Sequence, residues 1–159
     1  MKLVRSMSLK VEDVMVEDVI SVSEKATVRE AAELMNKNEI GCLVVVKKGK
    51  PVGIVTETDM VKRVILKLVD PEKTKVSEIM SEPLVFGNPQ MGVDEASKIM
   101  QRQKIKKLPV VEKDRLVGLV TTTDIVRSPE VMKMMIRAIK RNLIRDIIMS
   151  IQEKLELDK

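Results

Sequence analysis

Shifted by 65 residues, the sequence lies on itself without a gap. KVEDVM at Lys10 meets KVSEIM at Lys75, and GIVTETDMV at Gly53 meets GLVTTTDIV at Gly118. Between Lys10–Lys62 and Lys75–Arg127, 20 of 53 paired positions are identical, where chance would give about three or four. Whatever one copy forms, the other must form too. A copy of about 55 residues is marginal alone, so the two are expected to bury their sheets against each other. Perfect register predicts a pseudo-twofold pair with paired clefts, one per copy.

Each copy carries the same order of elements. A short β-branched piece comes first, DVISV at Asp18 and PLVFG at Pro83, and reads as a strand. In copy one Thr27 and Glu30 then form a capping box, followed by a helical stripe of Val28, Ala31, Ala32, Leu34 and Met35. In copy two Gly92 takes the cap position, with Val93, Ala96, Ile99 and Met100 on the buried face. CLVVV and KPVGIVT, joined by the turn KKGK, read as a hairpin. A helix opened by the Thr-x-Thr-Asp phrase closes the copy, with Met60, Val61, Val64, Ile65 and Leu68 as its apolar residues in copy one. The expected fold class is α+β: two β-α-β-β-α repeats, residues 10–68 and 75–128, joined by DPEKTK, with a carboxy-terminal helix over 129–159.

Composition removes whole classes of function. The 159 residues contain no His and one Cys, Cys42, which excludes Ser-His and Cys-His catalysis, zinc sites and a disulfide framework. Neither a Walker-type phosphate loop nor a dinucleotide fingerprint is present, so an enzyme is not expected. With one Phe and no Tyr or Trp, the core must be aliphatic, and a flat ligand would be gripped by aliphatic side chains. The opening stretch lacks a signal-peptide apolar region, and no run approaches membrane-span length. A cytoplasmic protein is expected. The net charge of +5 mildly favours anionic partners.

Thr56, Thr58 and Asp59 sit at a strand-to-helix junction, where unpaired N–H groups and a partial positive charge suit an anion such as phosphate. A carboxylate there can accept both hydroxyls of a ribose, and Gly53 permits close backbone approach on the preceding strand. Thr and Asp are also favoured as simple helix caps. Their recurrence as Thr121, Thr123 and Asp124, beside neighbours that have drifted (Glu57 against Thr122, Met60 against Ile125), favours a ligand.

With IKKLPVVEKDRLVGLVTTTDIV as its most typical stretch, the repeat resembles a cystathionine-β-synthase (CBS) domain. The region from Lys10 to Arg127 resembles a tandem pair, or Bateman module. The resemblance implies a stand-alone regulatory sensor that binds AMP, ADP, ATP or S-adenosylmethionine in clefts between the repeats and signals to an effector protein. It implies that the phrase's Asp holds the ribose hydroxyls, that the Thr residues assist, and that the first short strand meets the adenine edge. Residue by residue, these are Thr56, Thr58 and Asp59 with Val19, Ile20 and Ser21, and Thr121, Thr123 and Asp124 with Leu84, Val85 and Phe86. The family's basic pair before Leu-Pro-Val, which usually meets phosphates of a nucleotide whose ribose sits on the other repeat, matches Lys106 and Lys107. Copy one has Gly41 and Cys42 there.

The clefts are therefore expected to differ. Lys98–Lys107 holds five basic residues and no acid, whereas Glu33–Cys42 holds one base and two acids. An exposed strand end is the alternative reading of Lys106 and Lys107; for Lys98, Arg102 and Lys104 a solvated helix face is favoured. Cys42 reads as a small buried residue, not a nucleophile.

In the tail, Ser128-Pro129-Glu130 reads as a helix start. Met132, Met135, Ile139, Leu143, Ile147, Ile151 and Leu155 form an apolar stripe, opposed by Lys133, Arg137, Lys140, Arg141 and Arg145. The stripe suggests packing on its own module or a twin chain, and with the closing helices it predicts a homodimer. A membrane-surface or partner-docking helix is the alternative, the former weakened by Asp146, Glu153, Glu156 and Asp158. A nucleic-acid binder is the second functional class, but Phe86 is the chain's one aromatic platform for base stacking.

Overall fold

The structure, a computed structural model, describes residues 9–157, with side chains through residue 153. The opening residues 1–8 and Asp158 lie outside the described residues, as do the side chains of Leu155 and Glu156. The described chain divides into two compact units, one ending at Thr121 and one beginning at Thr122.

In the first unit, copy one forms a three-stranded sheet. β1 (Ser21–Ser23) runs parallel to β2 (Cys42–Lys47), which pairs antiparallel with β3 (Lys50–Thr56). Helix α1 (Val28–Asn38) links β1 to β2 and starts on the expected capping box: Glu30 N–H donates to Thr27 Oγ1 at 3.1 Å, and Thr27 N–H to the Glu30 carboxylate at 2.6 Å. Val28, Ala31 and Met35 are buried and Leu34 is half-buried. Ala32, expected in the apolar stripe, is exposed, because it stands 100° from Ala31 around the helix and falls outside the contact face. After β3 come α2 (Glu57–Asp59), a π-wound run Met60–Ile65, and α3 (Val76–Ile79). Copy two follows with α4 (Val93–Gln103), β4 (Lys107–Glu112) and β5 (Arg115–Thr121). Both hairpins turn on two left-handed residues, Lys48-Gly49 and Lys113-Asp114, the backbone that matches strand twist in a two-residue loop. Both also shift register at the same step, Val45/Val46 and Val110/Val111.

Two expectations are corrected. The strand at Pro83–Gly87 is reduced to one parallel bridge, Gly87 to Val110. Gly87 N–H donates to the Pro109 carbonyl and the Gly87 carbonyl accepts from Val111 N–H, both at 2.9 Å. The next rung would need an N–H from residue 109, and Pro109 has none, whereas its counterpart Val44 does. The closing helix of copy one is α-helical for only a turn. Leu66 N–H then donates to the Val61 carbonyl and Val69 N–H to that of Val64, a five-residue spacing. Of its apolar residues only Val64 is buried; Met60 is half-buried, and Val61, Ile65 and Leu68 are exposed.

The two copies exchange short straps. The strap opening copy two docks on copy one: Val76 N–H donates to Ala26 O, and Ser81 exchanges both backbone hydrogen bonds with Ile54 on β3. The strap opening copy one docks on copy two: Val11 N–H donates to Met91 O, and Val16 exchanges both bonds with Leu119 on β5. Val76 and Ile79 belong to the core of copy one, with Val22, Val28, Met35, Leu43, Val45 and Val55. The glycine of each repeated phrase lies under a strap. A Cβ on Gly53 would fall 2.7 Å from Met80 Sδ and 3.0 Å from Ser81 O; one on Gly118 would fall 2.5 Å from Met15 Sδ and 3.2 Å from Val16 O. What approaches these glycines is the neighbouring strap.

The second unit contains α5 (Thr122–Arg127) and α6 (Pro129–Leu157). Pro129 opens α6, Ser128 O accepts from Met132 N–H, and Ser128 Oγ from Val131 N–H. The expected stripe is not straight. Its four-residue steps overshoot a turn by about 40° each, so the apolar line winds around the helix. Met134, Ile144, Ile148 and Met149, also exposed, widen it further. No helix among the described residues is long and apolar enough to cross a membrane.

Gly53→Ala and Gly118→Ala should each destabilise the ligand-free protein by roughly 1–3 kcal/mol through overpacking against a strap. Urea unfolding measures this, and pairing Gly53→Ala with Met80→Ala should recover part of the loss. Glycines that serve only a ligand would leave the ligand-free midpoint unchanged.

Candidate functional site

The phrase that opens α2 folds into a reciprocal cap. Thr56 N–H donates to Asp59 Oδ2 at 2.9 Å, Thr56 Oγ1 donates to the same oxygen at 2.8 Å, and Asp59 N–H returns to Thr56 Oγ1 at 3.3 Å. Both residues therefore serve the helix start as ordinary caps. Asp59 is buried, and its second oxygen, Oδ1, lies 3.5 Å from Arg63 Nη2. These partners fix the carboxylate's direction.

Above this cap lies a cleft of about 470 Å³ within the first unit, in the size range of small-molecule sites. Copy one lines it with Gly41, Ile54, Thr56, Glu57, Thr58 and Asp59. Ser81, from the exchanged strap, and Lys104, Ile105, Lys106 and Lys107, at the start of β4, complete it. The site thus sets two carboxylates, Glu57 and Asp59, and two threonine hydroxyls opposite three ammonium groups, with Ile54 and Ile105 as apolar walls. Such a wall set suits a ligand with hydroxyls at one end and negative charge at the other.

Of the expected residues, Thr56, Thr58, Asp59, Lys106 and Lys107 meet in this cleft. Val19, Ile20 and Ser21 are not among its lining residues. In the other set, Leu84 and Val85 are half-buried and Phe86 is exposed; Thr121 ends β5, and Thr123 and Asp124 lie in the first turn of α5. Lys104 is exposed, as the solvated reading expects, like Lys98 and Arg102 within α4; it is, however, the left-handed C-cap of α4, φ +53°, where the chain reverses towards β4, and it also lines the cleft. Cys42 is buried, and that burial pushes its thiol above the ordinary range, Lys107 opposing the shift and Glu57 reinforcing it.

The sequence matches the profile of the CBS domain twice, over residues 11–66 and 76–131. The chain belongs to the CBS-domain family.

It is 39% identical over 115 residues to the CBS domain-containing protein YhcV of Bacillus subtilis, covering 72% of this chain and 81% of that protein. Among solved structures it superposes on the hexameric CBS-CP12 protein of bloom-forming cyanobacteria with a TM-score of 0.72 and 33% identity, covering 77% of this chain and 68% of that one. It also superposes on the CBS domain pair of protein MJ0100 in complex with 5-methylthioadenosine and S-adenosylmethionine, with a TM-score of 0.67 and 31% identity over 74% and 93% of the two chains. A tandem CBS pair is a regulatory, non-catalytic module.

Sequence reasoning did not find Arg63 in this CBS pair. Its guanidinium donates to the carbonyls of Ile79 (2.6 Å) and Met80 (2.7 Å) and to Ser81 Oγ (3.1 Å), while facing Asp59. It ties the exchanged strap to the cleft's carboxylate. A lone arginine on an apolar segment carries no sequence signal for this, and its counterpart in copy two is Ser128. Arg63→Ala should lower unfolding stability by roughly 1.5–3 kcal/mol, as charged hydrogen bonds to a half-buried strap are lost. Chemical denaturation tests it, and Lys62→Ala, which changes an exposed neighbour, should stay within about 0.5 kcal/mol of the parent.

Proposed function

We propose that this CBS pair is a sensor that binds an adenosine-containing ligand in the Asp59 cleft and passes its occupancy to an effector protein. The observation that carries the reading is the meeting of Thr56, Thr58 and Asp59 of one copy with Lys106 and Lys107 of the other. Asp59 and the threonines would take the ribose hydroxyls, the lysines the phosphate, and Ile54 and Ile105 the faces of the base. The adenosine derivatives held by the MJ0100 pair support the ligand class. By the repeat alignment, Asp124, Thr121 and Thr123, with Leu84, Val85 and Phe86, would be the counterpart set, favouring a weaker or less anionic ligand because Gly41 and Cys42 hold the sequence positions that match the lysines.

A ligand at a hundredfold excess over Kd stabilises the folded state by about 2.7 kcal/mol. Thermal-shift measurement with millimolar AMP, ADP, ATP and S-adenosylmethionine should therefore raise Tm for at least one. No rise with any of the four sinks the reading. Calorimetry on a Lys106→Ala/Lys107→Ala variant should show AMP affinity lower by tenfold or more, about 1.5–3 kcal/mol per lost charge-assisted contact. A loss produced by Asp124→Ala but not by Asp59→Ala would reverse the assignment of clefts.

We further propose a homodimer. In the first unit Ile65 is 63% and Leu68 92% exposed, beside exposed Val61 and Leu66; in the second, apolar residues of α6 are exposed along its length from Met132 to Ile151. Apolar patches of this extent usually mark an interface, and twofold dimers are the commonest closed assembly. The hexameric state of the CBS-CP12 protein supports self-association. Light scattering should give twice the chain mass at micromolar concentration, and truncation after Pro129 should weaken the dimer. A full-chain monomer overturns the dimer; an unaltered dimer after truncation overturns the role of α6.

A further inference from the structure

Glu57 is the acidic residue of the cleft that no ribose role uses. Its backbone N–H donates to Gly41 O at 3.2 Å, which seats the residue beside the start of β2. A Cβ on Gly41 would fall 2.9 Å from Glu57 Oε2 and 2.9 Å from Lys107 Nζ. The two charged atoms, one from each copy, therefore converge on the same space, no farther apart than twice that distance. Gly41 has an ordinary φ, so its glycine is accounted for by this space and not by backbone strain. In the repeat alignment, the positions matching Gly41 and Glu57 in copy two are Lys106 and Thr122. The carboxylate is thus present only in the cleft that has the lysines.

We infer that Glu57 is a specificity-determining residue: its carboxylate stands near Lys107, outside ion-pair distance, and holds back ligands with more than one phosphate. The inference rests on the nucleotide reading of this cleft for its ligand and adds the selection among phosphate chain lengths. Lys104, Lys106 and Lys107 supply three positive charges, and Asp59 and Glu57 two negative ones. A monophosphate gains from two lysines while meeting Glu57 with one phosphoryl group. A triphosphate must place further negative charge in the same space and repel the carboxylate along its length. Opposite charges within a few ångströms at a half-exposed site interact strongly enough to alter affinity severalfold. Glu57 is exposed, and neither the Thr56–Asp59 cap nor the Arg63 contacts use its side chain, so its replacement by Gln leaves the cap and the Arg63 tie in place.

The test measures AMP, ATP and inorganic pyrophosphate binding to the full chain and to Glu57→Gln by calorimetry at fixed salt. Glu57→Gln should tighten AMP about threefold and ATP and pyrophosphate about tenfold or more, so that the AMP/ATP affinity ratio falls. Binding of AMP by the parent with an unchanged ratio in Glu57→Gln overturns the inference and leaves the sensor reading intact. Failure of AMP and ATP to bind either form, with pyrophosphate tightened by Glu57→Gln, overturns the sensor reading and keeps the carboxylate's role. No binding of any of the three to either form overturns both. Gly41→Ala gives an independent arm: a methyl group in the shared space must displace Glu57 or Lys107, so the AMP/ATP ratio should move away from the parent value. An unmoved ratio in Gly41→Ala counts against the inference.

Discussion

Two straps pressed over two glycines hold the first unit together. Met80 and the Ser81 carbonyl lie on Gly53, Met15 and the Val16 carbonyl on Gly118, each closely enough that a methyl group would collide. The backbone pairs Ser81–Ile54 and Val16–Leu119 then cover sheet edges that would otherwise be unpaired. Because each strap serves the other copy, neither copy completes its core from its own residues. The pseudo-twofold relation is built from reciprocal loans of chain, and the cleft follows from it. Ser81 reaches the Asp59 cleft only because its strap crosses over.

Within that frame, the cleft's chemistry comes from differences between the copies. The repeat gives each copy a Thr-x-Thr-Asp phrase after its hairpin, and in copy one Asp59 is capped by Thr56. What makes the Asp59 cleft suited to an anion is that the other copy supplies Lys106 and Lys107 where the first has Gly41 and Cys42. Glu57 tempers that positive charge from the same side as Asp59. Arg63 adds an asymmetric tie: it holds strap carbonyls with one edge and faces Asp59 with another. A ligand that draws on Asp59 therefore acts on a group already linked to the strap, a direct physical route from occupancy to the packing between copies.

The repeat, the capping box, the hairpins and the Thr-x-Thr-Asp helix start were legible in the sequence. Apart from the repeat itself, all are local, fixed by alternation, cap chemistry and turn residues within a few positions; the basic pair's place opposite Asp59 came from the family resemblance. Other features were not legible. A strand was expected at Pro83–Gly87, but the missing N–H that stops it belongs to Pro109, on the strand it would have joined. The closing helix winds as a π-helix, and over six residues a four- or five-residue hydrogen-bond spacing leaves the same apolar pattern. Lys104 reaches the cleft because a left-handed C-cap turns it there, and helix periodicity does not report that turn.

The sequence by itself determined that the chain is a duplicated α+β module with no His and a single Cys, because residue types and their spacing decide those properties. Only the tertiary structure decided which copy completes which core, that the phrase's glycines face straps, and that Glu57, Arg63 and Lys104 share a neighbourhood with Asp59. These depend on contacts between residues far apart in the chain. The 65-residue repeat constrains such contacts to come in near-symmetric pairs, but does not say whether each pair forms within a copy or across the two.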